Sequence, residues 1–150
     1  MTRIRINHLA AFLLALTSLP TFAHGDEKHL DGQVGPHGGQ QRQAGAWHLE
    51  LVVAKDGQVA KESPVFVYVT DQAGAKLSTA GASGTATLLA GKARLTVPLV
   101  PDGDNRLKGT GKYVSAPDMK AIVAVTLAGK PAEQARFTPL AQDGRAGQKP

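Results

Sequence analysis

From Trp47 onward, apolar and polar residues alternate along the chain. In Trp47-His48-Leu49-Glu50-Leu51-Val52-Val53 the odd positions Trp47, Leu49, Leu51 and Val53 fall on one face of an extended backbone, and His48 and Glu50 fall on the other. That pattern predicts a half-buried strand. Lys55-Asp56-Gly57 turns the chain, and after Pro64 the β-branched and aromatic run Val65-Phe66-Val67-Tyr68-Val69-Thr70 predicts a central strand. Asp71-Gln72-Ala73-Gly74 is a second turn. Residues 85–89 and 93–97 are the arms of a predicted hairpin around Ala90-Gly91-Lys92, with Arg94 and Thr96 facing water. Pro98 and Pro101 are expected to confine pairing to an edge or to end it.

Asp102-Gly103-Asp104 reads as another turn, and residues 105–110 as a short, weakly patterned strand. Residues 121–127 put Val123, Val125 and Leu127 on one face. Gly129-Lys130-Pro131 breaks that run, and residues 134–138 return with Ala135 and Phe137 inward. Ser115-Ala116-Pro117-Asp118 leaves room for one helical turn at most. Short strands at this spacing, with no long amphipathic helix, predict an all-β fold. The expected form is an antiparallel immunoglobulin-like β-sandwich of about seven strands over residues 46–140, with an open barrel as the alternative closure.

The alternation stops at both ends. Residues 1–23 carry Arg3 and Arg5, then an apolar run from Leu9 to Leu16, then Thr17-Ser18 and Pro20, and end in Thr21-Phe22-Ala23. This is the layout of a cleaved signal peptide, with the cut expected after Ala23 and a periplasmic location for the product; a retained anchor is the alternative. No later run approaches the roughly 20 apolar residues of a membrane helix. Residues 24–45 are rich in Gly, His, Gln and charge. Few apolar side chains are there to offset ordering entropy, so a flexible segment is expected, and residues 141–150 read as a disordered C-terminus.

Composition adds three constraints. The absence of cysteine removes disulfides, thiol chemistry and thiolate-bound metal. Loss of Arg3 and Arg5 from 17 basic side chains leaves 15 against 12 acidic ones, a net charge of +3. Those cations are scattered singly, and an exported chain does not meet the genome, so nucleic acid is not an expected partner. No Gly-x-Ser-x-Gly elbow is present, and Gly109-Thr110-Gly111-Lys112 lacks the upstream glycine and following helix of a phosphate loop. The chain is therefore not expected to be an enzyme.

The histidines are distributed very unevenly. His24, His29, His37 and His48 fall within 25 residues, and the 102 residues after them contain none. Imidazole is the commonest side-chain ligand for transition metals, so the segment is a candidate binding site for Cu, Zn, Co or Ni. His48 and Glu50 leave one face of a strand with Cα atoms roughly 6.5 to 7 Å apart, close enough for one ion to bridge imidazole and carboxylate. The plain alternative is a solvated outer face. His37, between Pro36 and Gly38-Gly39, sits where the chain bends sharply, so it can fold over the first strand as a third ligand or remain an ordinary loop histidine. A terminal His24 would offer its α-amino nitrogen together with ring Nδ1, with Asp26, Glu27 and His29 nearby; a solvated polar tail is the alternative. Met119 alone is a poor soft-metal site.

The stretch Gly35-Pro36-His37-Gly38-Gly39, followed by His48-Leu49-Glu50-Leu51, resembles the opening of the periplasmic adaptor subunits of heavy-metal efflux pumps of the resistance-nodulation-division class. It is also similar to small exported proteins that carry the same opening, with stretches like Gly81-Ala82-Ser83-Gly84-Thr85-Ala86 and Gly103-Asp104-Asn105-Arg106-Leu107. The match to the adaptors covers about 20 residues, and the coiled-coil, lipoyl-like and barrel domains of a full adaptor are absent. The resemblance implies binding or buffering of a divalent metal in the periplasm, with envelope efflux components as partners. The competing expectation is a β-sandwich interaction module of the cell envelope whose histidines are incidental.

Overall fold

The computed structural model describes residues 33–141; the expected signal peptide over residues 1–23, His24, Asp26, His29 and residues 142–150 lie outside them. Eight antiparallel strands form: β1 (Gln40–Ala44), β2 (Trp47–Val53), β3 (Lys61–Thr70), β4 (Ser83–Ala90), β5 (Ala93–Pro101), β6 (Arg106–Tyr113), β7 (Lys120–Thr126) and β8 (Ala132–Phe137). There is no helix among the described residues. Their hydrogen-bonded order is β1-β2-β3-β6-β5-β4-β7-β8. The all-β, antiparallel expectation holds.

Alternation decides which side chains go inward. Leu49 and Leu51 of β2, Val65, Val67 and Val69 of β3, Val123 and Val125 of β7, and Phe137 of β8 are all buried in one core. Burying each such side chain is worth roughly 1.5–3 kcal/mol, so this shared inner face is the main source of stability in a chain without disulfides. The predicted turns form as well. Asp71 caps its own turn by accepting the Ala73 and Ala75 N–H groups through Oδ1 at 2.9 and 2.8 Å, and the β4–β5 hairpin closes at Ala90 opposite Ala93.

Three elements depart from the sequence expectations. Residues 40–44, assigned above to the flexible segment, are strand β1, paired with β2 from Gln40↔Leu51 to Ala44↔Trp47. Gln40-Gln41-Arg42-Gln43 has no apolar rhythm because this strand is held by its ladder and its side-chain amides rather than by burial. β5 does not end at its prolines. It pairs with β4 as far as Leu99, opposite Gly84, and then hands over to β6 through Val100↔Lys108 and Pro101↔Leu107, so the prolines fall where the chain passes from one layer to the other. β6 is a full central strand, registered against β3 from Tyr113↔Lys61 to Arg106↔Tyr68. Its apolar rhythm is interrupted by Gly109, where a Cβ would lie 2.4 Å from the Pro98 carbonyl oxygen. The two layers can meet there only if that position has no side chain.

The two ends of the order almost meet, so the sheet is nearly a barrel. Across the seam between β8 and β1, the Thr138 N–H donates to Gln40 Oε1 at 2.7 Å, and Gln40 Nε2 donates to Thr138 Oγ1 at 3.3 Å. Arg42 Nε donates to the Arg136 carbonyl at 3.3 Å. Side chains thus stand in for a backbone ladder at this one place.

Tyr113 closes the far end of the core. Its hydroxyl donates to the Pro64 carbonyl at 2.7 Å and accepts the Ala54 N–H at 3.0 Å. Burial pushes the phenol above its ordinary pKa, against a smaller opposing effect of the Ala54 hydrogen bond. The fold therefore favours the protonated form. Its contribution is complete below the unfolded value near ~10 and declines as the pH rises through the folded value. Urea denaturation of wild type and Tyr113→Phe is expected to show the wild type more stable by about 1 kcal/mol at neutral pH, with the gap narrowing above pH ~10. A gap that is constant with pH would overturn this account.

Candidate functional site

The candidate site is the loop of residues 35–39 and the strand face beneath it. Val34 bridges Gln40 in antiparallel fashion, so the loop is the tip of a hairpin whose second arm is β1. Within it the Gly35 N–H donates to the Gly39 carbonyl at 2.8 Å and the Gly38 N–H to the Gly35 carbonyl at 3.0 Å. Gly38 has φ of 78°, a conformation that favours glycine.

The loop folds over Glu50. This residue lies on the outer parity of β2, where alternation predicts a solvated side chain, yet it is only 4% exposed. A buried carboxyl group needs donors, and the loop supplies them. Glu50 Oε1 accepts the His37 N–H at 2.8 Å and the Gly39 N–H at 3.0 Å, while Oε2 lies 2.8 Å from His37 Nδ1. The fit is close: a Cβ at Gly35 would lie 2.3 Å from Glu50 Cδ. Both carboxyl oxygens are thus committed to the loop.

His37 is fixed on a second side by Tyr68, which stands opposite Glu50 across the β2–β3 ladder. The imidazole and phenol rings stack with centroids 3.5 Å apart and planes 3° from parallel. A carboxylate only accepts hydrogen bonds, so the tautomer of a neutral imidazole that suits this contact carries its proton on Nδ1 and has its lone pair on Nε2. The His37 side chain remains 39% exposed, with Nδ1 facing Glu50 and one ring face covered by Tyr68. Nε2 has no hydrogen-bond partner among the described residues.

The stack continues into a charged row on the same outer face. Arg106 is in register with Tyr68. Its guanidinium is held above its ordinary pKa range, first by its hydrogen bond to the Tyr68 side chain and then, against some desolvation, by Asp102. Arg106 Nη2 lies 2.7 Å from Asp102 Oδ2, and its Cζ sits 5.1 Å from the centroid of the Phe66 ring. Lys108 Nζ lies 5.9 Å from the same ring.

The structure brings His37 and Glu50 together. His48 is half-buried on the same outer parity as Glu50, in register with Gln43 on one side and Thr70 on the other. Among the described residues, no group of three or more His, Asp or Glu side chains is placed to hold a metal ion. Glu50 therefore stands behind His37, where the spacing argument placed it beside His48. His24, Asp26 and His29 lie outside the described residues.

The sequence reading missed Tyr68 and the steric role of Gly35. Tyr68 was recoverable in principle, because it shares the parity of Phe66 and antiparallel pairing of β2 with β3 sets it opposite Glu50. No family model, curated protein or solved structure matches the chain.

Replacing Glu50 with Ala strands the His37 and Gly39 N–H groups and frees the imidazole. Glu50→Ala is expected to cost about 2–4 kcal/mol in urea denaturation and to make amide exchange at residues 37 and 39 markedly faster, given the usual strength of hydrogen bonds to carboxylates. Unchanged exchange at those two amides would show that the carboxyl group does not hold the loop.

Proposed function

We propose that the protein binds a divalent transition metal, Cu, Zn, Co or Ni, in the periplasm, and buffers it or passes it to efflux components of the envelope. One observation carries this reading: the imidazole of His37, partly exposed, is held through Nδ1 by a buried carboxyl group, and Nε2 has no partner among the described residues. Metal-binding histidines typically have their second nitrogen fixed in this way, which sets the tautomer and raises the basicity of the ligating nitrogen. His37 is then the metal donor and Glu50 the positioning residue behind it. The remaining donors are assigned to His48 and to the leading segment with His24, Asp26 and His29. The strand order supports the finer fold reading as well, since β2-β3-β6-β5 beside β4-β7-β8 follows the two-sheet order of an immunoglobulin-like sandwich.

A second reading has its own support. The half-buried Phe66 ring beneath the Arg106 guanidinium is an aromatic–arginine pair of the kind that protein interfaces favour. On that reading the protein is an envelope interaction module and the histidines are incidental.

Calorimetric titration with Cu(II) and Zn(II) distinguishes the two. The metal reading expects a dissociation constant of about 1 μM or tighter, weakened at least ~10-fold by His37→Ala and about 10- to 100-fold by Glu50→Gln, which keeps the shape and removes the positioning charge. Wild-type affinity in His37→Ala would refute the metal reading. Weak binding, the same in all three proteins, would favour the interaction module.

A further inference from the structure

Beside the β1–β8 seam, away from His37, lies a groove of about 630 Å³ whose lining includes Arg42, Lys120, Arg136, Leu89, Ile122 and Phe137. No acidic side chain is among its lining residues. Lys120 and Arg136 are exposed, while Leu89 and Ile122 are half-buried and form an apolar floor between them. Ladder register explains the arrangement: Leu89 pairs with Lys120 and Ile122 with Arg136, so cations and aliphatic side chains share the outer face of β4, β7 and β8.

The chain itself leads toward this groove. The Gln41 N–H donates to the Gln33 carbonyl at 3.1 Å, and Val34 bridges Gln40, so the backbone before the loop runs antiparallel to β1 along the edge that faces β8. Extended beyond Gln33, that direction points toward Arg42 and Gln43, both of which line the groove. The stretch that precedes Gln33 in the sequence is His24-Gly25-Asp26-Glu27-Lys28-His29-Leu30-Asp31-Gly32, with three carboxylates, one lysine and one large apolar residue. Nine residues reach roughly 30 Å when extended, more than the length of a five-residue strand such as β1.

We infer that the groove is the seat of the chain's own acidic segment, with Asp26, Glu27 and Asp31 facing Lys120 and Arg136 and with Leu30 on the Leu89–Ile122 floor. Two independent features agree on this occupant: the charge signs are complementary, and the backbone at Gln33 points toward the groove. Neither depends on metal. Docked in this way the segment is held away from His37 and covers the one sheet edge that side chains alone close, so on the proposed function Asp26 and the histidines of the segment reach the metal only when the segment leaves the groove.

Amide exchange of residues 26–32 in the exported protein, in buffer containing EDTA, tests the assignment. Exchange is expected to be slowed at least about tenfold relative to a synthetic peptide of residues 24–32, and to return to the peptide rate in Lys120→Glu/Arg136→Glu. Adding Asp26→Lys, Glu27→Lys and Asp31→Lys to that double variant is expected to restore protection, which separates loss of docking from loss of fold. Free-peptide exchange in the wild type would overturn the inference. So would protection that survives charge reversal, or protection that disappears on dilution, which would place the segment in the groove of a second copy.

Discussion

The carboxyl group of Glu50 lies beneath a loop rather than in water, and the loop takes its shape from it. A buried carboxyl group in an apolar fold is costly unless its oxygens are satisfied. The two backbone N–H groups and one ring nitrogen that satisfy it all belong to residues 37 and 39. From that requirement the rest of the site follows. Gly35 must lack a side chain to let the chain pass over the carboxyl group, Gly38 must adopt a positive φ to bring the next N–H around, and His37 must present Nδ1 downward. Tyr68 then removes the last freedom of the imidazole by stacking on it. A solvent-facing loop of Gly, Pro and His would otherwise sample many conformations; here it is cross-linked to the sheet by three hydrogen bonds and one ring contact.

The same economy governs how the sheet closes. In most of the fold, strands are joined by complete backbone ladders, and their inner faces share a core of aliphatic side chains. Two places are different. Where β5 crosses from β4 to β6, the backbones come so near that β6 carries glycine opposite Pro98. Between β1 and β8, Gln40 and Arg42 span the gap with side-chain hydrogen bonds. Inward-pointing polar residues on an edge strand discourage unwanted pairing, and here they also hold the two edges at a fixed separation. The groove beside the seam is a consequence of that separation.

Much of this was legible in the sequence wherever burial writes a period of two. β2, the buried half of β3, the β4–β5 hairpin, β7 and β8 were each recoverable because alternate positions are apolar: Leu49 and Leu51, Val65 to Val69, Val123 and Val125. β1 was not, and β6 was recovered only as a short strand over residues 105–110, for physical reasons. β1 is polar because its side chains bridge a seam, and β6 is interrupted by glycine because another strand lies against it. The site was half legible. The coincidence of His37 and Glu50 in one region could be read from spacing and from the bend at Gly-Pro-His-Gly-Gly. Their mutual orientation could not, since alternation marks Glu50 as solvated and only the folded loop buries it. Tyr68 stayed hidden because β-propensity makes it look like an ordinary strand residue, although its register opposite Glu50 is what places it under the imidazole.

The division of the site between a rigid and a separate part bears on what kind of metal handling it suits. A single oriented imidazole holds an ion weakly, and affinity grows as further donors are added. When those donors must first leave a groove that they occupy without metal, the cost of leaving is subtracted from the gain. A fully preformed cage escapes that cost and releases its ion slowly, because most affinity differences appear in the dissociation rate. A site with one fixed nitrogen and recruited partners is tuned the other way, toward release to a competing ligand. On the proposed reading, the stacked and hydrogen-bonded His37 supplies a constant geometric anchor, and the recruited donors set how readily the ion moves on. That combination fits a buffer or a donor to an efflux system better than it fits a permanent structural metal.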